Sequence, residues 1–162
     1  MRQSRQITFK IFKTDQLERQ LKIWALLGKN IVFTNGVFDI VHQGHVHLLC
    51  EAAALGDILI VAVNSDNSVK KLKGSSRPVN DEYSRALLLS SMVMVDAVII
   101  FEEDTPVELI KIILPHILVK GGDYRIEEIA GATEIINNGG EVKIIPVVEG
   151  FSTTSILKKL NN

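Results

Sequence analysis

Hydrophobic residues along the chain fall into short runs that alternate with segments in which apolar positions recur at helical spacing. Runs of about four to eight mostly apolar residues predict buried strands, whereas recurrence every three or four residues predicts helices. The predicted strands are residues 30–35, 58–65, 96–102, 116–122 and 141–147. The predicted helices are residues 14–27, 44–55, 80–93, 105–113, 126–138 and 152–160. Asn80 or Asp81 is a candidate cap for the helix over 80–93.

This regular alternation of strands and helices predicts right-handed crossovers onto a parallel sheet. We therefore expect an α/β fold, a single Rossmann-like doubly wound domain with a five-stranded parallel sheet flanked by helices. Residues 30–162 form that domain, and residues 1–29 are predicted to be an N-terminal extension with one helix packed on it. In such folds ligands bind beyond the carboxyl ends of the strands, near the switch in strand order. The polar, glycine-rich segments that follow the strands are expected to meet there.

Composition limits the classes of partner. Lys and Arg number 18 against 19 Asp and Glu, so the chain has no general attraction to nucleic acid or to an anionic membrane, and neither is an expected partner. An anion site must therefore be local. No apolar run is long enough to span a bilayer, and the basic start of the chain lacks an apolar signal core, so a cytoplasmic location is expected. The single Cys50 excludes an intramolecular disulfide.

The stretch "TNGVFDIVHQGHVHLL", residues 34–49, contains three of the four histidines. His42 and His45 are three residues apart at a predicted helix start, so they can share one face beside free backbone N–H groups and the positive end of the helix dipole. This arrangement suits phosphate oxygens, and Gly44 lets a ligand approach the backbone. A zinc site with Cys50 would lack a fourth ligand. His47 and His116 are interpreted as surface or core residues.

The second predicted strand is followed by a basic loop that includes Lys70, Lys71, Lys73 and Arg77. Runs of charge are usually solvated, and at least one of these lysines should be. We favour Lys73 and Arg77 as phosphate ligands and Lys70 or Lys71 as solvated, because lysine suits a phosphate as a point charge and arginine grips it in a bidentate way.

The histidine stretch resembles the HxGH signature of the nucleotidyltransferase superfamily. The run from about 30 to 160, with "GDILIVAVNSDNSVKKLKGSSRPVN", "VKGGDY" and "GFSTTSIL", resembles the bacterial heptose 1-phosphate adenylyltransferases. The resemblance implies adenylyl transfer from ATP to D-glycero-β-D-manno-heptose 1-phosphate for lipopolysaccharide synthesis, with Mg²⁺ held mainly by the ATP phosphates and no protein metal ligand named. It also implies a homodimer. Because the family occurs fused to a heptose kinase or alone, and this chain resembles the stand-alone kind, a separate heptose kinase is the expected functional partner.

The resemblance assigns roles by matched motif. The catalytic residues are His42, His45 and Lys73. The expected nucleotide-binding residues are Thr34, Asn35, Gly36, Phe38, Gly44, Lys120, Gly121, Asp123, Ser152, Thr153 and Thr154. The expected sugar-phosphate ligands are Asn64, Asp66, Lys73 and Arg77. Asp39 is expected to accept backbone N–H bonds in a turn rather than to bind substrate, and Arg85 is left open between a packing or ion-pair role and phosphate contact.

The implied reaction needs no general base, since the second pKa of a phosphate monoester is about 6 and the nucleophile is already ionised at neutral pH. Two alternatives stay open. One is a related transferase with another phosphate or base, such as glycerol 3-phosphate with CTP or α-heptose 1-phosphate with GTP. The other is a nucleotide-binding module without catalysis.

Overall fold

The strands of the chain form one parallel sheet in a computed structural model that describes residues 5–146, 148, 153 and 156. They are β1 Ile11–Phe12, β2 Ile31–Gly36, β3 Ile58–Asn64, β4 Ala97–Phe101, β5 Ile117–Gly121 and β6 Glu141–Ile145. Their order across the sheet is β1-β4-β3-β2-β5-β6, and each neighbouring pair is parallel. The chain runs outward from β2 in one direction through β3 and β4, and in the other through β5 and β6. The order therefore switches between β2 and β5.

The helices are short and amphipathic. They are α1 Arg5–Thr8, α2 Thr14–Leu26, α3 Gln43–Ala53, α4 Asp66–Lys73, α5 Glu82–Ser90, α6 Val107–Ile113 and α7 Ala132–Asn137, with a 3₁₀ turn at Ile126–Glu128. Asp81 caps α5 by accepting a hydrogen bond from the Ser84 N–H, as its sequence position indicates. Within the described residues, no helix is long and apolar enough to cross a membrane.

The core lies on both faces of the sheet, because alternate residues of each buried strand point to opposite sides. On β2, Phe33 packs in the cluster beneath α2, α6 and α7, whereas Val32 packs in the cluster beneath α3 and α5. Residues 31 to 34 of this strand are all buried. The central strand is therefore covered on both faces as far as Thr34.

These features confirm the α/β doubly wound fold, with three corrections. The sheet has six strands rather than five, because Ile11–Phe12 pairs with β4, so residues 5–29 contribute a strand as well as helices α1 and α2. The predicted basic loop contains helix α4, which Ser65 caps by accepting from the Ser68 N–H. The predicted helix over 126–138 is interrupted at Gly131, whose φ of +90° favours glycine.

Candidate active site

Four buried polar side-chain atoms near the carboxyl end of β2 have no hydrogen-bond partner in the part of the chain that the structure describes. They are Thr34 Oγ1, Asn35 Oδ1, His42 Nδ1 and Arg77 Nη2. Buried polar groups in proteins are nearly always paired, so a cluster of unpaired ones needs an explanation. A polar ligand bound beyond this strand end would give hydrogen-bond partners to those of the four atoms that it reaches. All four residues are among the site residues that the sequence predicts.

The histidine pair lies at the start of α3, as its spacing indicates. His42 is the N-cap, with extended backbone, and His45 is in the first turn. The two rings stack with their centroids 3.9 Å apart, and the Phe38 ring lies 5.2 Å from that of His45. Nδ1 of His45 accepts a long hydrogen bond of 3.4 Å from the His42 N–H. In the neutral imidazole the proton is therefore on Nε2, which is left as a donor.

Burial favours the neutral form of both histidines. Burial lowers the pKa of His45 to about 4, and the positive charges of Lys73 and of His42 in its protonated form add to this effect. Burial also lowers the pKa of His42 from its usual value. Two stacked rings cannot both carry charge at low cost unless an anion compensates them. The pair is therefore arranged to donate hydrogen bonds to an anion rather than to hold a positive charge in its absence.

Asp39 connects the loop after β2 to the segment that carries Arg77. Its carboxylate accepts from Arg77 Nε at 2.6 Å and from the N–H groups of Val79 and Asn80 at 2.8 to 3.0 Å. Burial alone would raise the Asp39 pKa, but these donors outweigh it and the pKa lies below its usual value. Asp39 thus accepts backbone N–H bonds as expected, although the donors are about 40 residues away in sequence. The contact fixes Arg77 and leaves its Nη2 for a ligand.

The three lysines of α4 differ in the residues that they interact with. Lys73 is exposed and is the lysine whose charge contributes to the lowered pKa of His45. Lys71 forms an exposed ion pair of 3.3 Å with Asp104, and Lys70 is exposed. Lys73 therefore lies close enough to the histidine pair for its charge to act on His45, whereas Lys71 has an alternative partner.

The end of β5 lies beside the end of β2, at the switch point of the sheet. Lys120 Nζ donates to the Asn35 carbonyl at 3.3 Å, and burial lowers the Lys120 pKa to about 8. Gly121 faces Leu48 of α3, where an added Cβ would come within 3.2 Å of that side chain. Asp123 is exposed. Lys120 therefore adds a cation beside the unpaired Asn35 side chain.

Two predicted sugar ligands already have protein partners. Asn64 is buried and its Nδ2 donates to Ser68 Oγ at 3.0 Å, while Asp66 Oδ1 accepts from Arg85 Nη2 at 2.8 Å. Arg85 itself also donates to three backbone carbonyls. Of the two roles left open for Arg85, the structure therefore favours the ion pair and hydrogen bonds within the protein over phosphate contact. The sequence carried a signal for this, since Arg85 lies on the buried side of α5 with Ala86 and Leu89.

Three further predicted nucleotide ligands, Gly36, Phe38 and Gly44, lie between the end of β2 and the first turn of α3. Phe38 is buried and has a φ of +48°, and an added Cβ at Gly36 would come within 3.1 Å of its ring. Gly44 is partly buried in the first turn of α3. Thr153 is helical and partly exposed, whereas Ser152 and Thr154 lie outside the described residues.

The donors of the site suit phosphate better than a bare metal ion. Among the described residues, no group of three or more His, Cys, Asp or Glu side chains is placed to hold a metal. Cys50 is exposed. The buried carboxylate of this edge, Asp39, is already bound by three donor residues. Phosphate oxygens accept hydrogen bonds from imidazole, guanidinium, ammonium and hydroxyl groups, which are the groups present at this site.

The other two histidines have the ordinary roles expected of them. His47 is exposed on α3. His116 lies before β5, and its Nδ1 accepts from the Ile31 N–H at 3.0 Å. Neither belongs to the cluster around His42 and His45.

A family model described as cytidylyltransferase-like matches residues 33–159. The bifunctional protein HldE of Marinomonas sp. (strain MWYL1) is 49% identical over 158 residues, which cover 98% of this chain and 33% of that protein. HldE of Actinobacillus pleuropneumoniae serotype 5b (strain L20) is 53% identical over 152 residues, covering 94% of this chain and 32% of that protein. The chain thus spans about a third of the length of these curated relatives.

Two solved structures resemble the chain. The lipopolysaccharide core biosynthesis protein from Thermoplasma volcanium GSS1 is 36% identical with a TM-score of 0.62, over 75% of this chain and 98% of that one. The pantoate-beta-alanine ligase from Francisella tularensis is 15% identical with a TM-score of 0.64, over 93% of this chain and 76% of that one. The second likeness concerns the fold alone.

Proposed function

We propose, from the premise that this chain belongs to the cytidylyltransferase-like family, that it is a nucleotidyltransferase acting on a sugar phosphate. Its substrates are ATP and D-glycero-β-D-manno-heptose 1-phosphate, and its products are ADP-heptose and pyrophosphate. The observation that carries the proposal is the cluster of unpaired buried polar atoms around the stacked His42 and His45 at the strand switch point. Relatives about 50% identical, and a related lipopolysaccharide core biosynthesis protein, support the sugar substrate.

The reaction is an in-line displacement. An oxygen of the sugar 1-phosphate attacks the α-phosphorus of ATP, a new P–O bond forms, and the bond to the β-phosphate oxygen breaks so that pyrophosphate leaves. The attacking phosphate is already ionised at neutral pH, since its second pKa is about 6. The chain therefore needs no general base. Catalysis rests on positioning and on stabilising charge on phosphate oxygens.

The roles of the residues follow from their donors. His45 Nε2–H and His42 donate to phosphate oxygens of ATP and stabilise charge as it develops on the leaving pyrophosphate. Lys73 lies near this pair, and Arg77 offers Nη2 to a phosphate of the sugar or nucleotide. Thr34, Asn35 and Lys120 line the nucleotide side of the switch point. Asn64 and Asp66 remain proposed sugar contacts through the atoms that their internal bonds leave free.

We also propose that Mg²⁺ enters the site bound to the phosphates of ATP. It neutralises charge on the ATP phosphates when it is bound. The donor set around His42 and His45 fits an ion held by phosphate oxygens, because these side chains bind the phosphates and not the metal. The three hydroxyl residues at 152–154 are proposed to contact the β- and γ-phosphates.

The cellular arrangement is also proposed. A separate heptose kinase supplies the sugar 1-phosphate, the enzyme is a homodimer, and it works in the cytoplasm. The mixed charge of the chain, 18 basic against 19 acidic residues, supports small-molecule substrates rather than nucleic acid.

The direct test is to incubate the protein with ATP, Mg²⁺ and β-heptose 1-phosphate and to measure pyrophosphate release. We expect release that depends on both substrates. Parallel reactions use glycerol 3-phosphate with CTP, and α-heptose 1-phosphate with GTP. Release only in a parallel reaction would reject the proposed substrates, and release in none of them would favour a binding module.

A further inference from the structure

Arg85 is a buried arginine that donates to four acceptors. Its side chain has 0% of its surface exposed. Nε donates to the Asn80 carbonyl at 3.0 Å, Nη1 to the Val37 carbonyl at 2.7 Å, and Nη2 to the Asn64 carbonyl at 2.7 Å and to Asp66 Oδ1 at 2.8 Å. An arginine has five N–H donors, so one at most is left. Arg85 therefore has neither the exposure nor the free donors to bind a substrate.

The three carbonyl acceptors belong to three different segments of the candidate site. Val37 follows β2, Asn64 is the last residue of β3, and Asn80 precedes α5. Val37 and Asn64 lie 48 and 21 residues from Arg85 in sequence, whereas Asn80 is only 5 residues away. The planar guanidinium holds them at fixed distances from one another, which a single ammonium group cannot do in the same geometry.

Two of the three segments that Arg85 holds lead directly to a site residue. Val37 precedes Phe38, whose ring lies 5.2 Å from that of His45. Asn80 is held from two sides, because its carbonyl accepts from Arg85 while its N–H donates to Asp39. Asp39 in turn binds Arg77 Nε at 2.6 Å. A shift of the Arg85 side chain would therefore move the Phe38 ring that lies beside His45, and it would also move Asp39, which holds Arg77.

We propose that Arg85 is a positioning residue of the transferase reaction, which fixes His45 and Arg77 through the backbone at Val37 and Asn80. The proposal rests on the proposed function for its kinetic consequences. It assigns Arg85 no contact with substrate, in contrast to Arg77, whose Nη2 is buried and unpaired within the described chain.

Kinetics of Arg85→Lys provide the main test. Lysine keeps the charge but cannot reach three carbonyls, so we expect kcat to fall about 100-fold, the loss typical of a misplacement near 1 Å. KM for both substrates should change much less than kcat, by about threefold, because every binding side chain is still present although Arg77 is less firmly held. Arg19→Lys is the matched control, since Arg19 is 79% exposed in an ion pair on α2, and its kcat should not change. Normal turnover by Arg85→Lys, or a loss equal to its unfolded fraction, would overturn the proposal.

Asp66→Asn carries the test if Arg85→Lys does not fold. This substitution leaves the three carbonyl contacts and removes only the charge that holds Nη2. A lower kcat supports positioning, whether or not KM for the sugar phosphate also rises through the proposed Asp66 contact with the sugar. An unchanged kcat contradicts the proposal.

A spectroscopic measurement separates this proposal from the proposed function. The Arg77 Nε–H, held by Asp39, should give a slowly exchanging ¹⁵N-NMR signal in the wild-type protein, identified by its absence in Arg77→Lys. We expect the signal to shift or to exchange rapidly in Arg85→Lys. If the wild-type protein releases no pyrophosphate but this signal is lost in the variant, the proposed function fails and the positioning role stands. An unchanged signal would overturn the positioning role whatever the activity.

Discussion

Polar residues at the amino ends of the strands, here called the amino edge, are hydrogen-bonded within the protein. Polar residues of similar kinds at the carboxyl ends, the carboxyl edge, are partly left without partners. At the amino edge, Asp57 accepts from the Asn30 N–H, Asp96 from the Leu59 N–H and His116 from the Ile31 N–H, at 2.8 to 3.0 Å. At the carboxyl edge, four buried polar atoms have no partner among the described residues. Paired groups stabilise the strands that they cap, whereas unpaired buried groups cost stability until a ligand binds. The difference supports the proposal that the carboxyl ends of the strands bind the substrates while the amino ends only support the fold.

The comparison is sharpest for two histidines. His116 has its Nδ1 bound to a strand N–H. His45 also accepts a backbone N–H at Nδ1, but its ring stacks on His42 and its pKa is lowered to about 4. The same substitution at each position should therefore affect different properties of the protein.

The largest effect is expected from His45→Ala. Removing one donor aimed at developing charge typically lowers kcat by about 10²–10³. We expect a loss of this size in pyrophosphate release, with the Kd for ATP changed far less, because the remaining cations still bind the ground-state phosphates. Steady-state kinetics and calorimetric titration with ATP measure the two quantities. Normal turnover by the variant would show that His45 does not have the assigned role.

The opposite outcome is expected from His116→Ala. The Ile31 N–H loses its acceptor, and a partly buried donor left without one costs about 1–2 kcal/mol of the free energy of unfolding. Urea denaturation should detect this change, while kcat stays within about twofold at a temperature where the variant is folded. His47→Ala is the control, since that residue is exposed and neither property should change. A large loss of kcat in His116→Ala would remove the distinction between the two edges.

Local sequence patterns predicted the central strands and the histidine pair for physical reasons. A strand buried on both faces is a continuous apolar run, as "NIVF" before Thr34 illustrates. His42 and His45 follow directly from this strand, so the parallel fold alone places them at the carboxyl edge. The same argument placed Lys120 at the end of β5.

The remaining features depend on contacts that no local pattern contains. Helix α4 was missed because it buries only Ser68 and Val69 between charged residues, which makes its sequence resemble a solvated loop. β1 is two residues long and is defined by pairing with β4, 87 residues away in the register Ile11 to Val98. The bonds of Asp39 to Arg77 and of Arg85 to Val37 likewise join residues 38 and 48 positions apart. Such pairs are set by the tertiary fold.

The smallest expected effect is a pH dependence of stability that belongs to the carboxyl edge. The pKa of His45 is about 4 in the folded protein, whereas the ordinary value, which we take for the unfolded chain, is 6.5. Between these two values the unfolded chain therefore binds more protons than the folded protein. The free energy of unfolding should therefore rise with pH from about 4 to 6.5 through this group, and His45→Gln should lack that part of the rise. Since the ring is only partly buried, we expect the Tm of the wild-type protein to gain about 2–4 °C on that of the variant across this range. If the Tm of the wild-type protein and of the variant changed with pH in parallel, protonation of His45 would not destabilise the folded protein. The contrast with His116 would then rest on geometry alone.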